Sequence, residues 1–322
     1  MRTVANRIFF SFLFLYTTVT AVFAADYLVP VGRVIGLELS DNTVTVAAFD
    51  DRFAGETKAA GLRIGDRLVS IDGRQICCAE DVHRALDRSD GTVDVVVNRE
   101  GKTQKLHLQP KITQDGPKLG VYLRQGITGI GTVTWYNPET QCFGALGHGV
   151  STAKGQLLEL ARGRAYPAAI ISIQKGKSGT PGQLRGVLEQ EQLLGTVYRN
   201  TQQGVFGNAN QAWGTEAIPV AAFWEIHTGA ATIRSTVTEA GPQDYSVEIL
   251  KIYPQSRADG RNFLLKVTDP ALLNATGGIV QGMSGSPIIQ DGKLVGAVTH
   301  VLVNDPTTGY GIFIENMLDA AA

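Results

Sequence analysis

The sequence predicts a mainly β protein made of two folded units behind a short apolar N-terminal segment. Three observations predict it. Glycine is abundant, at 37 of 322 residues, which favours turn-rich strands over helix bundles. From about residue 119 onward, short apolar runs alternate with glycine-rich turns, at 129–135, 168–173, 230–237, 246–253 and 263–267, the pattern of an all-β domain. The hydrophobic fraction is 43 %, enough to fill about two cores of ordinary domain size over this length.

The first element is the apolar segment. Arg2 and Arg7 precede Ile8–Tyr16, and small or apolar residues continue to Ala25, the charged-then-apolar layout of an export signal. Its length of about 17 residues lies at the lower limit for crossing a bilayer. Val22-Phe23-Ala24 supplies a cleavage site, so residues 1–25 fit either a removed signal peptide or a retained anchor. Everything after them is then expected outside the cytoplasm. With 29 basic and 30 acidic residues and no long basic run, the charge balance speaks against a nucleic-acid partner. Cys77, Cys78 and Cys142 are too few for a disulfide framework and read as small apolar residues. No zinc-ligand spacing and no His-Glu-x-x-His sequence occurs, so no metal or cofactor is expected.

The second element spans 26–110. Val34-Ile35-Gly36-Leu37 is an apolar-Gly-apolar stretch leading into a strand. Ala59-Ala60-Gly61-Leu62 is followed by Gly65-Asp66 and by an apolar strand closed by Asp72-Gly73. Glu80–Leu86 has apolar residues at Val82, Ala85 and Leu86, a helix with one buried face. These features together resemble a PDZ domain (α+β). In that reading Val34, Ile35, Gly36 and Leu37 capture a peptide or chain terminus, the substrate's or the protein's own, through backbone amides. His83 and His107 are expected to face solvent, and residues 111–118 to form a linker.

The third element, 119–322, should pack its strands as two barrels with the active site between them. Gly282-Met283-Ser284-Gly285-Ser286-Pro287 lies between apolar runs and has the chemistry of a nucleophile turn. A serine hydroxyl attacks a carbonyl only when a tight turn presents it and aims backbone amides, here those of Gly282 and Ser284, at the developing oxyanion. Of the five histidines, His148 is the candidate base, because it ends the apolar run 143–147 between Gly147 and Gly149. Histidine preceding serine by well over a hundred residues is the order of chymotrypsin-like proteases. For the carboxylate that fixes the histidine tautomer, Asp244 and Asp269 both qualify by spacing. Asp269 precedes Pro270, a pair that also starts turns.

Ala145–Gly149, Asp269, Gly179–Gly186, Gln281–Pro287 and Gly296–Val301, with the PDZ-like region ahead of them, resemble the stage IV sporulation protein B (SpoIVB) peptidases across essentially the whole chain. The resemblance implies a trypsin-like double β-barrel serine peptidase with catalytic His148, Asp269 and Ser284, and it selects Asp269 over Asp244. It also implies an exported enzyme in the space between two membranes of a forming spore. There it processes itself and cleaves a membrane-bound regulatory protein, which triggers intramembrane proteolysis and late mother-cell sigma-factor activation. Ordinary trypsin-like enzymes place the acid far upstream and carry Asp where this chain has Met283. Laid against them, Thr299, His300 and Val301 wall the primary pocket, and Val301 constricts it toward small or medium residues. Two rivals are a non-catalytic PDZ adaptor, disfavoured by the intact triad, and an HtrA-like quality-control protease, which places its PDZ domain last. The loop 175–186 is expected to be exposed, either beside the substrate or inert. Trp135, Trp213 and Trp224 are expected in cores or interfaces.

Overall fold

The computed structural model describes residues 27–89, 91–257 and 259–322, so the expected signal or anchor at 1–25 lies outside the described residues. Short strands and short helices follow one another along the chain. β1 is Tyr27–Pro30, β2 Val34–Phe49, α1 Gly55–Ala59, β3 Arg67–Ile71, β4 Arg74–Gln75, α2 Ala79–Leu86, β5 Val93–Arg99 and β6 Lys102–Leu108. Then come β7 Lys111–Thr113, β8 Gly116–Lys118, β9 Val121–Tyr136, β10 Cys142–Ala145, β11 Arg162–Gln174, β12 Gln183–Leu188, β13 Gly195–Thr201, β14 Gly204–Ala209 and β15 Ile218–Pro219. The last part holds β16 Gly229–Thr236, β17 Pro242–Ile252, β18 Phe263–Val267, α3 Pro270–Thr276, β19 Pro287–Gln290, β20 Lys293–Leu302, β21 Asp305–Phe313 and α4 Ile314–Ala321.

Two rings of strands close. In the first, β2 pairs β9, and the pairing continues through β10, β14, β13 and β11 back to β2. In the second, β16, β17, β18, β21, β20 and β19 form a closed barrel. Closure removes sheet edges, and alternation of inward apolar residues fills each ring. Ile35, Leu37, Val133, Phe143, Ala145 and Val205 lie in the first core, and Ile233, Val247, Leu265, Ile288 and Val298 in the second. The expected mainly β architecture with a double barrel is what the chain adopts.

The division of the chain differs from the expected one. β2 and β9 each run 16 residues and belong to two units at once. Val34–Leu39 pairs with Ile127–Thr132 inside the first barrel, whereas Val44–Phe49 pairs with Val121–Gln125 in a small module. That module has its own core of Val44, Leu68, Ile71, Val82, Leu86, Val95 and Leu108. It is therefore an insertion between the two halves of a barrel hairpin, not a unit starting at residue 26. Residues 27–40 belong to the barrel instead. The expected linker 111–118 is a hairpin of β7 and β8.

Inside the module, the buried Asp66 carboxylate accepts from Arg99 Nε at 2.6 Å and Nη2 at 2.7 Å. Burial works against its ionisation, but the Arg99 and Arg63 hydrogen bonds prevail and hold it below the usual carboxylate value. His107 meets Asp94 on the surface. Trp135 and Trp213 are buried as expected, but Trp224 is 72 % exposed; it stands on a short 3-10 turn, Phe223–Glu225, that points its ring outward.

Candidate active site

β10 delivers His148 through a strained turn. Leu146 has φ +69° and Gly147 +67°. A left-handed backbone is costly for a bulky residue such as leucine and is found mainly where surroundings enforce it. Two contacts enforce it here. The Leu146 amide donates to the Thr132 carbonyl at 3.1 Å, and the leucine side chain is buried in the first core. With the chain turned in this way, His148 leaves the strand end at the seam between the barrels.

Ser284 reaches the same seam from the other side. Ile279, Val280 and Met283 are buried in the second core, so apolar packing holds the turn at the position where trypsin-like enzymes carry an aspartate. Gly282 and Gly285 take φ +99° and +94°, conformations suited to glycine. Thr132 of β9 fastens the turn to the histidine side. Its amide donates to the Ser284 carbonyl at 3.0 Å, its hydroxyl to the Gly282 carbonyl at 2.8 Å, and its own carbonyl holds Leu146. A Cβ on Gly285 would lie 2.5 Å from the Leu146 nitrogen, so the two loops are in direct contact. The amides of Met283, Gly285 and Ser286 donate to Val280, Val298 and Met283. Among the described residues, those of Gly282 and Ser284 have no internal acceptor.

Asp269 is not part of this contact. It caps the N-terminus of α3, accepting from the amides of Ala271 at 2.9 Å and Leu272 at 3.0 Å, and from Ser246 at 3.3 Å. An aspartate ahead of a proline at the first helical position is a natural cap. Its oxygens are thus committed to backbone amides, and the pairing expected with His148 is not made. The His148 Nδ1 lies 3.0 Å from the Gly149 carbonyl instead. Asp244 is elsewhere too: it holds Arg234 by two bonds of 2.7 and 2.9 Å beside a cavity of about 410 Å³ lined by Val29, Trp213 and Arg234.

Burial holds His148 below the ordinary histidine value, with the Gly149 carbonyl pulling the other way. Of the expected pocket residues, Thr299 is buried and donates to the Gly260 carbonyl, and Val301 packs on the second core. His300 turns toward His148, with ring centres 5.5 Å apart. Burial, then His148 and Arg261, push it down to about 4, against the opposing charge of Asp259. The 175–186 loop does border the nucleophile: Gln281 donates to Gly182 and accepts from Leu184.

The peptide-capturing loop expected at Val34–Leu37 is a barrel strand instead. Val34-Ile35-Gly36-Leu37 is hydrogen-bonded on both edges, to Thr132–Gly129 and to Pro167–Ala165, and Val34, Ile35 and Leu37 are buried. No strand edge is left there for a peptide. An apolar-Gly-apolar pattern reads the same in a barrel strand as in a binding loop. Among the described residues the module has open edges at β6, which pairs only with β5, and at Val121–Gln125 of β9, which pairs only with β2. The start of α2 lies beside the latter, with the Ala79 amide bonded to Gln125 Oε1 at 3.0 Å.

The family model for SpoIVB peptidase S55 matches residues 115–318. The chain belongs to this family. The matched span contains His148, Thr132, Ser284 and His300. Curated proteins named as zinc metalloproteases are similar over shorter stretches. Atu1380 of Agrobacterium fabrum is 42 % identical over 74 residues, 23 % of this chain and 20 % of that one. R01501 of Rhizobium meliloti is 33 % identical over 124 residues, 38 % and 31 %. The chain thus spans a third or less of the length of these relatives. Among its described residues, no group of three or more His, Cys, Asp or Glu is placed to hold a metal. Of solved structures, the Rv3671c protease in its inactive form is 13 % identical with a TM-score of 0.35, covering 59 % of this chain and 82 % of that one. Its Ser343Ala form from Mycobacterium tuberculosis H37Rv is 12 % identical with a TM-score of 0.33, over 60 % and 81 %.

Proposed function

We propose that this S55 peptidase is a serine endopeptidase. The observation that carries the reading is the Thr132 clasp, which joins the Ser284 turn to the His148 turn and leaves the amides of Gly282 and Ser284 unused. With Nδ1–H donating to the Gly149 carbonyl, the His148 Nε2 keeps the lone pair that takes the Ser284 proton. Ser284 Oγ then bonds to the substrate carbonyl carbon, and the two free amides receive the oxyanion, at roughly 3 kcal/mol each. His148 passes the proton to the leaving amine, and water repeats the sequence to release the acid. Purified protein should cleave a mixed peptide library and lose this to a serine-directed fluorophosphonate but not to a metal chelator. Ser284→Ala should lower turnover by roughly 10⁴-fold or more. Cleavage that survives in Ser284→Ala would refute the reading.

On the family match we extend the proposal to the biological role. The enzyme is exported, processes itself and cleaves a membrane-bound regulator, so triggering intramembrane proteolysis and late mother-cell sigma-factor activation. The small module would hold a peptide or chain terminus along Val121–Gln125 by strand addition. Export is tested by fractionation of cells carrying the full chain, where retention in the cytoplasm would count against it.

A further inference from the structure

The far end of β20 has one open edge. β19 pairs with β20 only as far as Ala297, whereas β21 continues along the other side past His300 and Val301 to Leu302. The open edge starts beside the nucleophile turn, because the Gly285 amide donates to the Val298 carbonyl and the Val298 amide to that of Ser286. An extended peptide can add there as a further strand. Residues directly opposite in a ladder share a face. The substrate residue opposite His300 therefore projects to the side of His300 and of Tyr310, the partner of His300 on β21.

Arg261 occupies that side. It is exposed, and its guanidinium lies over the Tyr310 ring, 5.3 Å from the ring centre. Gly260, just before it, is tied to the seam. Its carbonyl accepts from Thr299 Oγ1 at 3.0 Å, and a Cβ built on it would lie 3.6 Å from the Gly147 carbonyl oxygen. The charge of Arg261 reaches His300, adding to burial and to His148 in holding that ring neutral. From Lys251 to Asn262 the sequence sets Lys251, Arg257 and Arg261 against a single carboxylate, Asp259. Arg257 Nε donates to both oxygens of that carboxylate, at 2.9 and 3.1 Å. Among the described residues no carboxylate forms an ion pair with Arg261. A tyrosine ring steadies a cation without occupying the N–H fork that matches a carboxylate.

We infer that Arg261 forms a subsite for an acidic side chain of the substrate, in the stretch that precedes the scissile bond. The inference rests on the serine-peptidase reading above and names the substrate class for it. Thr299–Val301 wall the pocket for the residue before that bond, so a peptide on the β20 edge brings its earlier residues past His300 to Arg261. Successive residues of an added strand alternate in face, so the preference holds at one position and is absent at its immediate neighbours.

The test uses peptides built on a sequence cleaved in the mixed library, with Glu, Gln or Lys at each position before the scissile bond. They are given to the full chain and to Arg261→Gln, Arg261→Glu and Arg257→Gln. The readout is the ratio of kcat/KM for Glu over Gln, so a partly unfolded preparation lowers both rates and leaves the ratio. The parent should favour Glu by about three- to tenfold, and by less at high salt. Arg261→Gln should bring the ratio to about one, and Arg261→Glu should turn the preference to Lys. Arg257→Gln, whose charge Asp259 already offsets, should keep the parental ratio. The inference is overturned if the parent shows no preference for Glu at any position, or if that preference survives in Arg261→Gln or Arg261→Glu. Cleavage persisting in Ser284→Ala would bring down the serine-peptidase reading itself, and this inference with it.

Discussion

Replacing Gly285 with alanine would drive a wedge between the nucleophile and its base. The added Cβ would lie 2.0 Å from the Thr132 carbonyl oxygen, 2.5 Å from the Leu146 nitrogen and 3.0 Å from its Cα. All three are backbone atoms and cannot swing aside. The φ of +94° adds strain of about 1–2 kcal/mol, and overpacking adds about 1–3 kcal/mol. The chain relieves this by moving Ser284 away from His148. A displacement of about 1 Å is enough to lower turnover by about 10²-fold. Gly292→Ala is the control. Gly292 also has positive φ (+73°) but nothing within 4 Å of its built Cβ, so it carries only the backbone penalty of about 1 kcal/mol. The assay is the second-order rate of fluorophosphonate labelling beside a thermal melt. Gly285→Ala should label about 10²-fold more slowly and melt several degrees lower, while Gly292→Ala labels at the parental rate. Equal rates for both variants would refute the contact between the two loops.

Other outcomes follow from the same structure. Because burial lowers the His148 pKa, the base stays deprotonated into mild acid. The acid limb of kcat/KM should therefore fall below the ordinary histidine value of about 6.5; a limb above 7 would contradict this. His300 is held neutral in the fold, so the unfolded chain binds more protons between about 4 and its ordinary value. Stability should accordingly decline as pH falls through that window, in a denaturant titration that His300→Phe flattens. Arg99→Ala leaves the Asp66 carboxylate buried without its partner and should cost about 3–5 kcal/mol, seen as early proteolysis within 44–125 while the barrels persist. Val301→Gly should widen cleavage toward bulky residues before the scissile bond, and an unchanged library profile would refute the constricted pocket. Addition of a C-terminal peptide ligand should protect the amides of 121–125 from hydrogen exchange and leave those of 34–37 as they were.

Local chemistry was readable in the sequence where a short stretch carries its own reason. Gly282–Pro287 needs its glycines for the turn it makes, and the turn that carries His148 needs Gly147; Thr132 bonds to both turns. Long-range pairing was not readable. The alternation of β2 breaks at Ser40-Asp41-Asn42-Thr43, where the register with β9 shifts between Leu39 and Val44, but a short polar run reads the same as an ordinary turn within one domain, so nothing in it announces a passage from barrel to module. The apolar-Gly-apolar run at Val34–Leu37 resembled a peptide-binding loop because a doubly paired barrel strand can carry the same residues. Asp269 illustrates a different limit: an Asp-Pro pair looks identical whether the carboxylate faces an imidazole or caps a helix, and only the α3 amides decide. Thr132 gave no signal at all, being one threonine in an alternating strand, and its role depends on two loops that lie far away in the chain. His300 lay in a strand whose bulge no periodicity reveals.

Peptide cleavage by this chain requires that His148 make Ser284 nucleophilic at the seam between the barrels. Labelling the intact protein with a fluorophosphonate and mapping the adduct by mass spectrometry tests this directly. The adduct should sit on Ser284 alone, disappear in Ser284→Ala, and form far more slowly in His148→Ala. An adduct on another serine, or undiminished labelling without His148, would contradict it.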